Sequence, residues 1–197
     1  MLSLRKVAVT GGLAVGKWTV CRLLKELGAY VVDSDEIVRQ LLVKESPIGR
    51  QVIQLLGPEI ITNNQIDRKK ISNIVFSNHT QLKQLEMVLH PAVRQEIQRH
   101  FEEVKNNDSY KLFVAEVPLL YEAEMEKDFD GVIVVSADET IARKRAASIE
   151  EFDRRTRFQL PQAAKKAKAN FVINNQGDLE NLKAQINALI PQLLEGE

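Results

Sequence analysis

The chain has 197 residues, 44% hydrophobic and 27% charged, with 27 Lys+Arg against 27 Asp+Glu; that size suits one α/β domain with an insertion or lid, burying roughly 70% of the unfolded chain's surface. Zero net charge argues against a dedicated nucleic-acid binder, which usually carries a basic excess. The single cysteine, Cys21, excludes an intrachain disulfide and a cysteine-based metal cluster, and no apolar run reaches the roughly 18 residues of a membrane span.

Met1-Leu2-Ser3-Leu4-Arg5-Lys6 leads directly into a strand, which reads as no signal peptide and makes cytoplasm the expected location. Val7-Ala8-Val9-Thr10 is a β-rich run closed by Gly11-Gly12. A helical pattern runs from Lys17 to Leu27 and stops at Gly28, a good C-cap residue. Cys21 falls on the apolar face of that helix and reads as a core thiol. Tyr30-Val31-Val32 is a second strand, ending in Asp33. Strand, glycine loop, helix and strand make a βαβ unit with parallel strands.

Glu36 to Val43 is amphipathic, and Pro47, Gly57 and Pro58 punctuate the next stretch. Asp67 is a candidate N-cap for a helix through Phe76. Thr80 starts a helix to about His90, and Pro91 opens or kinks another through Val104. Four or so helices without a strand read as a helical insertion. Asn106-Asn107-Asp108-Ser109 is a loop. Lys111 to Val117 and Gly131 to Ser136 hold continuously apolar runs, as central parallel strands should. Ala137 to Lys166 is mostly helical and strongly charged. Phe171-Val172-Ile173 is a last strand, and Leu179 to Leu194 a closing amphipathic helix.

Gly11-Gly12-Leu13-Ala14-Val15-Gly16-Lys17 matches G-x-x-x-x-G-K between a strand and a helix, the context the phosphate-loop motif requires. In such a loop, successive backbone N–H groups point inward at phosphate oxygens. The helix N-terminus adds partial positive charge. Lys17 would reach the terminal phosphates and neutralise charge during transfer. The ATP-binding stretch is therefore expected over Gly12, Leu13, Ala14, Val15, Gly16, Lys17, Trp18 and Thr19. Two positions depart from the pattern. Trp18 stands where a hydroxyl would ligate Mg²⁺, and an indole N–H is a donor only. Thr19 lies about 100° further round the helix. Val15 puts a branched side chain where a small or hydroxylated residue would keep the loop compact. Either water, phosphates and a remote carboxylate hold the metal, or activity is reduced, or the ring closes the site.

The chain resembles the dephospho-coenzyme A kinase family nearly end to end. Val31-Val32-Asp33-Ser34-Asp35-Glu36-Ile37-Val38-Arg39 is similar to the family's second-strand motif. Ile66-Asp67-Arg68 with Val75-Phe76 resembles its mid-chain signature, and Leu89-His90-Pro91 its His-Pro motif. Glu116-Val117-Pro118-Leu119-Leu120-Tyr121-Glu122 resembles the family's D-V-P-L-L-F-E, with Glu for Asp and Tyr for Phe. Asn170-Phe171-Val172-Ile173-Asn174-Asn175 with Gly177 is similar to its closing motif. The resemblance implies a P-loop NTPase-type parallel sheet flanked by helices, with a helical substrate-domain insertion and a helical lid. The core is expected over 1–40, 108–143 and 167–197, the helical acceptor domain over 41–107, and the lid over 144–166. It implies transfer of the ATP γ-phosphoryl group to the ribose 3′-hydroxyl of dephospho-CoA, with ATP and Mg²⁺. A monomer or small homo-oligomer is expected, with no nucleic-acid or membrane partner.

Asp33, at the end of a parallel strand beside the loop, is the expected general base or hydroxyl-orienting carboxylate. It could also hold Mg²⁺ through water, or merely cap the next helix, for which Asp35 is the better candidate. Glu116 is an outer-shell metal ligand or a structural acceptor. Arg143, with Lys17, is expected at the transferring phosphates. Arg145, Arg154 and Arg155 sit on or beside the lid, where arginine forks suit phosphate clamping; the bland alternative pairs these arginines with Glu150, Glu151 and Asp153. By resemblance, Asn175 contacts adenine, while His90, Leu119, Leu120 and Tyr121 belong to the acceptor pocket. Leu119, Leu120 and Tyr121 would serve equally well as core, and Asn175 as a turn residue. Two other readings share the loop: a different nucleoside or nucleotide kinase, and a nucleotide-binding relative impaired by Trp18. A regulatory GTPase lacks support because no N-K-x-D motif is present.

Overall fold

The computed structural model describes residues 4–195. Met1, Leu2 and Ser3, on which the reading of the N-terminus partly rests, lie outside the described residues. In chain order the elements begin β1 (Arg5–Gly11), α1 (Lys17–Glu26), β2 (Ala29–Asp33), α2 (Ser34–Leu41), α3 (Pro47–Leu56), β3 (Ile61–Thr62) and β4 (Gln65–Ile66). They continue with α4 (Arg68–Ser77), α5 (His79–Val104), β5 (Leu112–Glu116), β6 (Gly131–Ser136) and α6 (Glu139–Arg145). The last are α7 (Ile149–Thr156), α8 (Gln162–Ala167), β7 (Phe171–Asn174) and α9 (Leu179–Glu195). Ser34–Arg99 form one compact unit and the other described residues a second. Among the described residues no helix is long and apolar enough to cross a membrane.

The second unit is built on a parallel sheet ordered β2-β5-β1-β6-β7. Every residue of β6 is buried, as is all of β1 after Arg5. Both faces of these strands are covered, which is why they read as unbroken apolar runs. One sheet face, with Val7, Val9, Val114, Ile133 and Val135, packs against Val20, Leu23 and Leu24 of α1 and Leu182, Ile186 and Leu193 of α9. Each such side chain contributes roughly 1.5–3 kcal/mol by burial. β5 and β6 are consecutive strands of this sheet in the chain but lie on opposite sides of β1. The chain therefore changes direction around β1, and ligand crevices open outside the carboxyl ends of strands at such a switch. β1 ends there, at Gly11.

The Ser34–Arg99 unit has its own core of Leu42, Val52, Leu56, Ile60, Ile71, Val75 and Leu85. Ser46 caps α3, accepting the Gly49 N–H at 2.8 Å ahead of Pro47. Asp67 caps α4 as expected, accepting from Lys69 N–H at 2.9 Å and Lys70 N–H at 3.3 Å. The hairpin β3–β4 is an addition to the expected all-helical stretch. Asn63 and Asn64 turn it with φ of 49° and 61°, a conformation that asparagine tolerates. The two helices expected around Pro91 are one, α5, with Pro91 inside it. A mid-helix proline removes one hydrogen bond and costs about 3 kcal/mol. Buried Leu85 before it and Ile97 after it offset that cost. α2 starts at Ser34, so Asp35 lies in its first turn rather than at the cap.

Candidate active site

The glycine loop between β1 and α1 is fixed from below. Gly11 has φ 148°, and a Cβ there would lie 2.2 Å from the Val135 carbonyl oxygen of the adjacent strand. Gly16 has φ 94°, and a Cβ there would lie 2.2 Å from Asn175 Nδ2. Only glycine fits either place. The crowding has a cause: the Asn175 side-chain amide donates to the Val15 carbonyl at 2.8 Å, a bond between residues 160 apart in sequence. Asn175 is held in turn, its N–H donating to Ser136 O at 2.7 Å and its carbonyl accepting from Arg145 at 3.0 Å. Arg145, expected on the lid, thus braces the residue that braces the loop. The Asn175 side chain, expected against adenine, is a strut for the phosphate loop.

Val15 departs from the compact-loop expectation without distorting the loop. Its side chain points down and is 1% exposed, within the core formed by Val9, Val135 and α1. Lys17 is also buried, its ammonium donating to the Gly12 carbonyl at 2.9 Å and the Gly11 carbonyl at 3.4 Å. Trp18 faces the other way. It is 65% exposed, with the Arg22 guanidinium 5.3 Å from its ring centre one turn on. That cation–π contact holds the indole on the outside of the first turn of α1.

Asp33, Glu116 and Val9 share one register across β2, β5 and β1, so the two carboxylates stand side by side at the strand ends. Asp33 is exposed and Glu116 partly buried. Cys21 of α1 reaches the same place. Burial first, then the Glu116 carboxylate that accepts its hydrogen bond, pushes its thiol well above the usual range, while Lys17 acts in the opposite direction. The thiol is therefore a neutral donor to Glu116, a contact that hydrophobic patterning alone does not reveal. Among the described residues no group of three or more His, Cys, Asp and Glu could hold a metal. For Mg²⁺, which takes oxygen ligands in octahedral geometry and keeps several waters, the paired carboxylates supply fitting oxygens. Trp18 supplies none.

The other expected residues are spread around this centre. On α6, Arg143 makes a two-pronged bond to Asp153 of α7 at 2.5 and 3.1 Å, and Glu139 lies 3.6 Å away. These partners, Asp153 first, raise its pKa further. Arg155 pairs with Glu151 at 2.6 Å. Arg154 is partly buried on the same helix. Two of the arginines thus adopt the acidic pairing that was the bland alternative. A cavity of about 530 Å³ opens over the loop, bounded by Gly12, Leu13, Asp138, Phe152, Gln159 and Lys166. That volume is in the range of small-molecule sites.

Leu120 is fully buried and Tyr121 is 4% exposed, so both pack as core; Leu119 is half-buried. Burial, and then Glu126, push the Tyr121 phenol up to about 12. His90 is half-buried in the middle of α5 rather than at a helix end. Burial lowers its pKa, with Arg94 adding to that and Glu86 opposing it.

One structural anchor has no signal in the sequence. Lys165 of α8 is 0% exposed, and its ammonium meets Glu122 Oε1 at 2.9 Å and the Pro118 carbonyl at 3.0 Å. The same Glu122 oxygen accepts the Leu160 N–H at 2.7 Å. The pair ties the end of the 144–166 segment to the loop after β5. Removing one partner of a buried pair leaves an uncompensated charge, at about 3–5 kcal/mol. Lys165→Met is expected to lower the urea unfolding midpoint by that equivalent, and adding Glu122→Leu to recover most of it.

A dephospho-CoA kinase family model matches residues 5–181. The chain is 43% identical over 199 residues to the dephospho-CoA kinase of Protochlamydia amoebophila, covering 98% of each. It is 42% identical over 192 residues to that of Chlamydia caviae, covering 94% of this chain and 95% of the relative. Among solved structures, TT1252 from Thermus thermophilus shares 30% identity with a TM-score of 0.82, covering 96% of this chain and 98% of that one. Shikimate kinase from Aquifex aeolicus, at 14% identity and a TM-score of 0.55 over 98% of this chain and 99% of that one, shares the fold.

Proposed function

We propose, because the chain belongs to the dephospho-CoA kinase family, that it transfers the γ-phosphoryl group of ATP to the ribose 3′-hydroxyl of dephospho-CoA. The products are coenzyme A and ADP, so the reaction is the last step of coenzyme A synthesis. The observation that carries this reading is the strand–loop–helix of Gly11–Lys17 with Asp33 and Glu116 in register beside it. A different nucleoside or nucleotide kinase would not account for the family match along most of the chain.

Phosphoryl transfer asks the protein for alignment and charge stabilisation more than for covalent chemistry. The backbone N–H groups of Gly12, Leu13, Ala14, Val15 and Gly16, with those of Lys17, Trp18 and Thr19 opening α1, are suited to cradle phosphate oxygens. Lys17 would exchange its two loop carbonyls for the β- and γ-phosphates, an exchange its short tether to Gly11 and Gly12 makes local. Asp33, exposed at the strand end, is suited to accept the proton of the acceptor hydroxyl and orient its oxygen. Asp33 and Glu116 would hold Mg²⁺ through water, and a bound Mg²⁺ would offset the charge of the phosphates. Arg143 is suited to release Asp153 in favour of phosphate oxygens as the 144–166 segment closes and excludes water. Arg154 and Arg155 are lid candidates in the same movement, with Arg145 and Asn175 holding the loop beneath. His90, Leu119, Leu120 and Tyr121 remain the acceptor-side candidates. A cytoplasmic enzyme, monomeric or a small oligomer, without nucleic-acid or membrane partners, completes the proposal.

An ADP-release assay with ATP, Mg²⁺ and dephospho-CoA tests the reading. Turnover is expected to depend on dephospho-CoA and to be at least tenfold slower with a panel of nucleosides and shikimate. Equal or faster turnover of a panel member would replace the acceptor assignment.

A further inference from the structure

The buried pair of Lys165 and Glu122 is joined to the phosphate loop. The Pro118 carbonyl that accepts from the Lys165 ammonium at 3.0 Å also accepts the Thr10 hydroxyl, at 3.2 Å. Thr10 is fully buried in β1 and directly precedes Gly11, where the loop begins. A chain of bonds therefore runs from the root of the loop through Pro118 and Lys165 to Glu122 Oε1, and from that oxygen to the Leu160 N–H at 2.7 Å. Thr10, Pro118, Glu122, Leu160 and Lys165 all belong to one compact unit.

These bonds fix the 160–166 stretch at two points, Leu160 and Lys165. Between them lies Gln162, whose side-chain amide donates to the Ala137 carbonyl at 3.2 Å. A Cβ on Gly12 would lie 3.7 Å from Gln162 Oε1, so the stretch is seated against the phosphate loop. Gln162 and Lys166 bound the same cavity as Gly12 and Leu13. A buried ion pair is a weak source of stability, because apolar side chains of similar volume often do as well. This one also leaves Glu122 Oε2 buried with no hydrogen-bond partner among the described residues, a cost that apolar packing avoids. What the pair supplies and apolar packing does not is direction. Three donors, from β1, from the chain just before α8 and from α8 itself, converge on two oxygens that share the Lys165 ammonium.

We propose that Lys165 is a positioning residue for phosphoryl transfer: with Glu122 it seats the foot of the 144–166 segment on the phosphate loop, so that the segment closes over the transferring phosphate in one register and keeps water out. The role rests on the proposed function. Lys165 is fully buried and acts through the loop and the segment. A misplacement of about 1 Å in such a part can cost roughly a hundredfold in rate. Where the seat is loosened, water takes the place of the acceptor hydroxyl. Its oxygen bonds to the γ-phosphorus, the bond from that phosphorus to the β–γ bridging oxygen breaks, and the products are ADP, inorganic phosphate and a proton.

Release of ADP and of inorganic phosphate, with ATP, Mg²⁺ and dephospho-CoA, tests the role in the parent, Lys165→Met/Glu122→Leu and Thr10→Val. The double variant is expected to keep most of the parent's unfolding midpoint, while kcat falls about thirtyfold and the KM for ATP stays within about threefold. The share of ADP released with inorganic phosphate is expected to rise about tenfold, which a merely structural role would not produce. Thr10→Val loses only the link to Pro118 and is expected to move both readings the same way, by about threefold. Unchanged kcat and phosphate share in the double variant would overturn the role; if that variant does not fold, an unchanged phosphate share in Thr10→Val would do so. Hydrogen exchange of the 149–166 peptides separates this role from the proposed function. A non-hydrolysable ATP analogue is expected to slow that exchange about fivefold in the parent and not in the double variant, and equal behaviour of the two proteins would overturn the role. ADP release that dephospho-CoA does not stimulate in the parent would overturn the proposed function, and the exchange result would then decide the role of Lys165 by itself.

Discussion

Asp33→Asn is expected to lower kcat by about a thousandfold while leaving the KM for ATP within a few-fold, read by steady-state ADP release. A positioned general base is worth roughly 10²–10⁴ in rate, and the amide keeps the size of the carboxylate while losing its charge and basicity. The loop that would hold ATP does not depend on this side chain. Its supports are the Asn175 amide on the Val15 carbonyl and the close packing of Gly11 on Val135. The neighbouring carboxylate, Glu116, stands in register but is occupied by the Cys21 thiol. Glu116→Gln is the matched control, expected to act more weakly because Glu116 is the more buried of the two. A drop of less than tenfold for Asp33→Asn, with a large one for Glu116→Gln, would move the base to β5.

The parts of this site that are legible in the sequence are those where one residue type is forced by local geometry. Gly11 and Gly16 announce the loop because no side chain fits their φ and their neighbours. The unbroken apolar runs of β5 and β6 announce a covered parallel sheet. Asp67 announces α4 because its carboxylate finds N–H groups two and three residues on. What is not legible depends on partners far away in the chain. The Asn175–Val15 bond spans 160 residues, and Lys165 reads as one more solvated lysine until the fold buries it on Glu122 and Pro118. Cys21 is legible as a core thiol but not as a donor to Glu116. The Asn63-Asn64 hairpin is a different matter. Its signal, an asparagine pair between short β-forming runs, is local and is outweighed by the helical pattern on both sides. Pro91 misleads in the opposite sense, because a strong local rule is overridden by buried positions on either side of it.

Trp18→Ser is expected to raise kcat/KM by about a hundredfold in Mg²⁺, the scale on which a single stabilising group at the transferring phosphate acts. The fold does not depend on the indole. It is 65% exposed and lies against the Arg22 guanidinium. Surface replacements of that kind usually change stability by no more than about 0.5 kcal/mol, so the unfolding midpoint is expected to hold. What changes is the chemistry offered by the first turn of α1. A serine hydroxyl there gives the metal an oxygen, whereas the indole has no lone pair to give. Thr19, about 100° round the helix, does not replace it. Calorimetry separates this from a general repair of the loop. In the parent, Mg²⁺ is expected to tighten ATP binding no more than about threefold over EDTA, because the carboxylates of Asp33 and Glu116 act on it only through water and the loop contributes no ligand to the metal. In Trp18→Ser, Mg²⁺ is expected to tighten ATP binding at least tenfold. The parent's only tryptophan also reports directly on the loop, since nucleotide bound beside it should change its fluorescence. Equal rates and equal Mg²⁺ dependence in both proteins would mean that Asp33, Glu116 and the phosphates hold the metal without help from α1. The tryptophan would then be a neutral surface residue, and the hydroxyl at this position dispensable in a chain whose carboxylates stand in register.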